Sequence, residues 1–369
     1  MANTVQNEYH PDYVMPLGDT LLETLEATGM PQSKLAKHMN LPVRTITEIV
    51  QAKTAITTEM ASQLEQVLRI PASFWLNRER RYQESLTRLA KDHRLKGWVE
   101  WLSQIPIEEM MRRGWIPTCT DKSQQVFEAL KFFGIACPDA WQAMFVEWQM
   151  ARYRQSATLQ SHLGAVSTWL RQGELESQKI DYIASYNAEA FRDALNSIRA
   201  LTTQPVNTFQ QELVRLCANA GVAVVFVPGF PNTGIWGATQ WLASTEGKAL
   251  IELTLGYQTD DHLWFTFFHE AGHILLHGKP QVFLEIDDKY QEKEEYDADT
   301  FASNILIPPT QWQQFIAQGS YRSKTGIEEF AKKVGIAPGI VVGRLQHESL
   351  LPHDHCNDLK RHLEWTFRK

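Results

Sequence analysis

Apolar residues recur at helical spacing through the first part of the chain. Between Leu17 and Leu76, short amphipathic stretches alternate with polar turns, which predicts a group of short helices. In "SKLAKHMNLPVRTITEIVQAK" (Ser33 to Lys53), Leu35, Ala36 and Met39 make the inner face of one helix, and Val43, Ile46, Ile49 and Val50 that of the next. Asn40 falls at the turn between them, where a left-handed residue is needed and asparagine tolerates it. Residues 78–96 are dense in charge and read as a solvated helix or connector. From 97 to 200 the pattern stays helical and rich in tryptophan, with breaks at Pro106, Pro117 and Pro138. No chemical motif stands out there, so a helical scaffold or dimer module is expected.

At Thr208 the pattern changes. "TFQQELVRLCANAG" has a threonine cap with Gln211 three residues on, then Phe209, Leu213, Leu216 and Cys217 on one face and Gly221 at the end. "VAVVFVPGF", "IWGATQWL" and "KALIELTL" then read as three strands separated by Gly, Pro and Asn turns. The helix "FTFFHEAGHILLH" (Phe265 to His277) follows, then a loop, then the helix "EEYDADTFASNILIP". Helix, sheet, helix, helix is an α+β order. "IEEFAKKVGIAPGIVVGRLQHE" predicts two short helices around a Gly/Pro turn.

Composition narrows the class. At 369 residues, with 43% apolar and 21% charged residues, the chain should form two or three globular domains. Residues 1–13 read as a loose tail without a basic-then-apolar leader, and no apolar run is long enough to span a membrane. Four dispersed cysteines (Cys119, Cys137, Cys217, Cys356) suit a reducing compartment, so a cytoplasmic protein is expected. The net charge of −7 gives no global pull toward nucleic acid, and residues 16–90 are nearly neutral at +1. Any DNA contact must come from a local surface.

The chemistry concentrates in one helix. His269 and His273 stand one turn apart on one face, so their imidazoles can converge on a zinc ion. Glu270 lies next to the water that such an ion activates and can take its proton. Leu263, Phe265, Phe267, Phe268, Ile274, Leu275 and Leu276 should bury the helix, where unsatisfied His and Glu are costly. His277 lies about 12 Å along the axis from His269, so hydrogen bonding or packing is its expected role. The next helix has a buried stripe of Ala298, Phe301, Ala302, Ile305 and Leu306, with Glu295 and Asp299 on a neighbouring face. Glu295 is the expected third ligand, with Glu294 and Asp297 as rivals, and Asp299 should orient a histidine ring from behind. Glu292, Glu294 and Asp297 otherwise suit a helix N-terminus. Tyr257, His262 and Tyr290 are candidates for stabilising an oxyanion. "HDHC" (His353, His355, Cys356) reads as an exposed tail.

"FTFFHEAGHILLH" followed by "EYDADTFASNILIP" resembles the ImmA/IrrE family of metallopeptidases over residues 206–310, with the upstream strands and the "GIWGA" turn in keeping. The resemblance implies a small zincin-like fold and zinc-dependent cleavage of a protein partner, often a transcriptional repressor. By position it implies His269, His273 and Glu295 as ligands and Glu270 as general base. Ala271 departs from the family's usual Leu or Ile.

In the N-terminal helices, Arg44, Thr45, Thr47, Glu48 and Gln51 should face outward from the second helix of a helix-turn-helix. Arg44 and Gln51 could read base edges in a major groove, with Ser33, Thr45 and Lys53 on phosphates. An ordinary helical bundle also presents a polar outer face. The span 16–82, with "TTEMASQLEQVL" and then "FWLN", is similar to HigA-type antitoxins of the Xre helix-turn-helix family. That likeness implies a DNA-binding, usually dimeric module acting on its own operator. Asn40 replaces a usual glycine, and "QAKT" (Gln51 to Thr54) replaces a usual "NGKR".

The combined expectation is an α+β multidomain protein. Its parts are a helix-turn-helix domain over 14–78, a helical connector over 79–205, a zincin-like domain over 206–312 and a C-terminal helical extension over 313–369. The expected function is a DNA-binding regulator with a zinc endopeptidase, active or latent until triggered, that cleaves a repressor or toxin–antitoxin partner. Operator DNA and a second copy of the chain are the other expected partners, with no membrane. The alternative is a non-catalytic repressor or antitoxin that uses the zincin domain for sensing or binding.

Overall fold

A computed structural model describes residues 15–148, 162–181, 183–242, 247–254, 258–278, 283–286 and 293–364, with the backbone alone at 145–148 and 283–286. Two compact units result, residues 1–100 with 119–127 and residues 101–118 with 128–369.

The first unit holds α1 (Leu17–Ala27), α2 (Gln32–His38), α3 (Val43–Val50), α4 (Thr58–Leu68) and α5 (Ala72–Gly97). Leu21, Leu35, Ile46, Leu64 and Trp75 are its fully enclosed centre. Asn40 takes the left-handed conformation (φ 51°), as its place in the turn requires. Thr57 caps α4 by accepting from Met60 N. Val43 departs from its expected inward position and is exposed, because it opens α3 ahead of the inner stripe of Ile46 and Ile49. The charged stretch 78–96 lies within the 26-residue α5.

The second unit begins with α6 (Ile107–Arg112). In chain order come α7 (Lys122–Phe133), whose residues up to 127 count with the first unit, then α8 (Pro138–Trp148), α9 (Leu163–Ser177), α10 (Ala188–Leu201) and α11 (Val206–Asn219). Pro205 rather than Thr208 stands at the N-cap of α11, because the helix already starts at Val206. Then follow β1 (Val222–Phe226), β2 (Ile235–Trp241), β3 (Ala249–Leu253), α12 (Asp260–Leu276), β4 (Phe283–Ile286) and α13 (Lys293–Leu306). The chain ends in α14 (Pro309–Gln318), α15 (Lys324–Val334) and α16 (Pro338–His347). β4 falls where a loop was expected, and it adds to a sheet of order β1-β3-β2-β4. β1 and β3 are parallel, while β2 is antiparallel to β3 and β4.

Strand alternation divides the sheet between two cores. Val222, Val224, Ala249, Ile251 and Leu253 face a large core shared by α10 to α12 and the C-terminal helices. Ala223, Val225, Leu250 and Ala238 face a smaller core with Val166, Trp169 and Leu170 of α9. β2 carries a register irregularity against β4 between Ile235 and Gly237. It lets Ile235 and Ala238, three apart, share the α9 face, which strict alternation would forbid. Among the described residues, no helix is long and apolar enough to cross a membrane, and all four cysteines are free thiols.

Candidate metal centre

α12 is buried along nearly its whole length. Trp264, Phe267, Phe268 and Ala271 are fully enclosed, whereas Leu276 departs from its expected burial and is 48% exposed at the helix end. Asp260 and Asp261 begin the helix and complement its dipole. Thr239 of β2 donates from Oγ1 to the Glu270 carbonyl oxygen at 3.1 Å, tying the motif turn to the sheet. α13 packs on α12 through Ala298 and Ala302, both fully buried. Gly272 permits this close approach, since a Cβ there would lie 3.2 Å from Ala298 Cα.

The packing brings three donor groups to one point. His269 Nε2 lies 2.9 Å from His273 Nε2 and 3.0 Å from Glu295 Oε2, and His273 Nε2 lies 3.5 Å from the same oxygen. Two imidazole nitrogens and a carboxylate oxygen at such separations repel unless a proton or a cation lies between them. Four-coordinate zinc with bonds of about 2.0–2.1 Å would set its donor atoms roughly 3.3 Å apart. The observed spacings bracket that value, so this donor set fits zinc.

Electrostatics prepare the same state. Burial, foremost, lowers the His273 pKa to about 4, which keeps its ring neutral and its lone pair available. Burial pushes Glu295 up, but hydrogen bonds from His269 and His273 more than offset this and hold it below the usual carboxylate range. Behind the donors, His269 Nδ1 lies 2.8 Å from Asp299 Oδ1, and His273 Nδ1 lies 3.0 Å from His277 Nδ1. Asp299 is thus placed to accept from the first ring.

Glu270 is fully buried beside the donors. Gly237 of β2 makes room for it, since a Cβ there would stand 2.8 Å from Glu270 Oε1. Neither Gly237 nor Thr239 was expected from sequence, although "GIWGA" marked the turn. Among the rivals for third ligand, Asp297 lies 4.0 Å from His277 Nε2, and neither it nor Glu294 joins the donor set found among the described residues. His262 stands seven residues before His269, about 10 Å along the axis, and apart from the donors. Tyr257, Tyr290 and Glu292 lie outside the described residues. His353 and His355 are exposed, in a turn whose carbonyls accept from Gln346.

On the first unit, Ser33, Arg44, Gln51 and Lys53 are exposed, and Thr45, Thr47 and Glu48 are half-buried. Arg44 donates from Nε to Glu48 at 2.7 Å, and the Thr47 hydroxyl reaches Gln32 of α2 at 3.3 Å.

Residues 21–75 match the family model described as Helix-turn-helix. Residues 256–346 match the peptidase family M78 model, described as IrrE N-terminal-like domain. No curated protein matches the chain. The chain therefore joins an Xre-like helix-turn-helix segment at its N-terminus to an IrrE/ImmA-like peptidase-family domain toward its C-terminus.

Proposed function

We propose that this protein is a DNA-binding regulator whose second unit is a zinc-dependent endopeptidase acting on a partner protein, a repressor or a toxin–antitoxin component. The convergence of His269 Nε2, His273 Nε2 and a Glu295 oxygen beside the buried Glu270 carries this reading. Zinc, when bound, supplies Lewis-acid polarisation of a peptide carbonyl and lowers the pKa of a water to about 7. Glu270 would serve as the proton carrier, taking a proton from the attacking water and giving it to the leaving amine. His269, His273 and Glu295 would hold the ion, and Asp299 would fix the orientation of the His269 ring. An extended substrate segment adds to the outer edge of β4, where main-chain groups bind it without demanding one sequence.

In the same reading α3 enters the major groove of an operator. Arg44 and Gln51 meet base edges with Thr47 and Glu48 alongside, and Ser33, Thr45 and Lys53 meet phosphates. Arg44 must leave Glu48 to do so, which a solvent-exposed helical pair opposes only weakly. The similarity to HigA-type antitoxins supports a homodimer that presents two such helices.

Enclosure of Glu270 favours a second reading, in which the peptidase unit is latent, or binds its partner without turnover. Co-expression with the products of neighbouring genes separates the two. The first reading expects a cut partner with the wild type and an intact one with Glu270→Gln. Intact partner held tightly by both proteins would establish the second.

A further inference from the structure

His273 has a second hydrogen-bonding partner beyond the donor set. Its Nε2 faces His269 and Glu295, and its Nδ1 faces His277 Nδ1 at 3.0 Å. The His277 side chain is only 9% exposed, and its Nε2 lies 4.0 Å from Asp297 Oδ2. The backbone holds the ring there. His277 directly follows the last residue of α12, and its N–H donates to the His273 carbonyl at 3.1 Å. Gly278 then leaves the helix with φ 65°.

These contacts admit one hydrogen arrangement when a cation is held. A ring nitrogen that binds a cation has given up its hydrogen, so the hydrogen of neutral His273 must sit on Nδ1. At 3.0 Å that N–H has to donate to His277 Nδ1, which must be a bare acceptor. The hydrogen of His277 is then on Nε2, the atom that faces Asp297. The same logic runs through Asp299 to His269, so each histidine of the donor set has an acceptor behind it. His277 stands behind His273 and away from the point where the donors meet, which separates this role from that of a fourth ligand.

We propose that His277, backed by Asp297, is a positioning residue that fixes the tautomer and ring orientation in which His273 Nε2 can hold zinc. This rests on the zinc-centre reading above. The test is the Zn²⁺ affinity of the full chain, measured by competition with a chromophoric chelator, alongside the thermal midpoint of the metal-free protein. His277→Ala should weaken Zn²⁺ by about 10–100-fold and leave the metal-free midpoint unchanged. His277→Asn, whose amide oxygen can stand where Nδ1 stood, should recover most of the affinity. Asp297→Ala should lose less than His277→Ala. Wild-type affinity in His277→Ala overturns the proposal. So does an equal loss in the Ala and Asn variants with a lowered metal-free midpoint, which would mark a ring that only packs. A wild-type chain that takes up no Zn²⁺ overturns the metal reading itself and this inference with it, and that result is visible before any variant is compared.

Discussion

A methyl group on Gly237 would stand 2.8 Å from Glu270 Oε1 and 2.6 Å from Thr266 Cγ2. Glu270 is the flexible partner of the two, so it would have to move. Gly237→Ala should therefore keep zinc uptake while cutting peptide cleavage by about 10²-fold, the low end of what losing a general base costs. Metal content and a cleavage assay on the same sample check this. In the first unit, Ala52 holds φ 54° where helix-turn-helix relatives of the resembled type place a glycine. A left-handed alanine is strained, so Ala52→Gly should stabilise the unit by about 0.5–1 kcal/mol in chemical denaturation. These residues differ in how legible they were. His269, Glu270 and His273 are one turn of one helix, so their relation is local and can be read directly. Gly237 meets Glu270 through a sheet register that includes a bulge, and no local pattern encodes that meeting.

Among the elements, β3 and α9 meet at a buried acid. Glu252 is fully enclosed, and among the described residues neither of its carboxylate oxygens has a hydrogen-bond partner. α9 approaches so closely that a Cβ on Gly173 would overlap the carboxylate. Burial first, then the charges of Glu174 and Glu176, push Glu252 well above the ordinary value of 4.5. The other groups opposite it are neutral: Val225 on β1, Ala238 on β2, and Gln240 further along β2. The folded chain thus holds a proton that the unfolded chain releases near pH 4.5. Stability is highest below that pH and falls as pH rises from there through the raised folded pKa. Glu252→Gln should remove this fall, stabilising the chain at pH 8 by about 1–3 kcal/mol and much less near pH 4.5. Urea titrations of both proteins across that range check the sign. The strand itself was legible from "KALIELTL", but its cover was not, because α9 lies some eighty residues upstream in a region without a motif. β4 was missed for a different reason: four residues are too few to show a period.

At the scale of the whole second unit, the C-terminal segment clasps the start of α12. Asp260 is fully buried and accepts from Arg361 N and Nε at 3.0 and 2.8 Å, and Asp261 pairs with Lys360 at 2.7 Å. The Arg361 guanidinium also donates to the carbonyls of Thr202 and Gln204, just beyond α10. Arg361→Ala should cost about 2–3 kcal/mol, less than the roughly 3–5 kcal/mol of a fully enclosed pair because Arg361 is partly exposed. Thermal or urea unfolding checks the value. Phe315, Ile327, Val341, Leu345 and Leu363 lie in the same core as Phe267 and Phe268. A chain ended at residue 312 should accordingly lose cooperative unfolding, which calorimetry would show. Sequence pattern identified the helices of that extension but could not place them in the peptidase core, because amphipathic helices carry no address for the surface they cover.

Metal content tests the central claim most directly. Full-length protein purified without chelator and analysed by elemental mass spectrometry should carry about one zinc per chain. His269→Ala and Glu295→Ala should lose it while Glu270→Gln retains it. A fully folded wild-type chain that remains zinc-free when zinc is supplied would contradict the account.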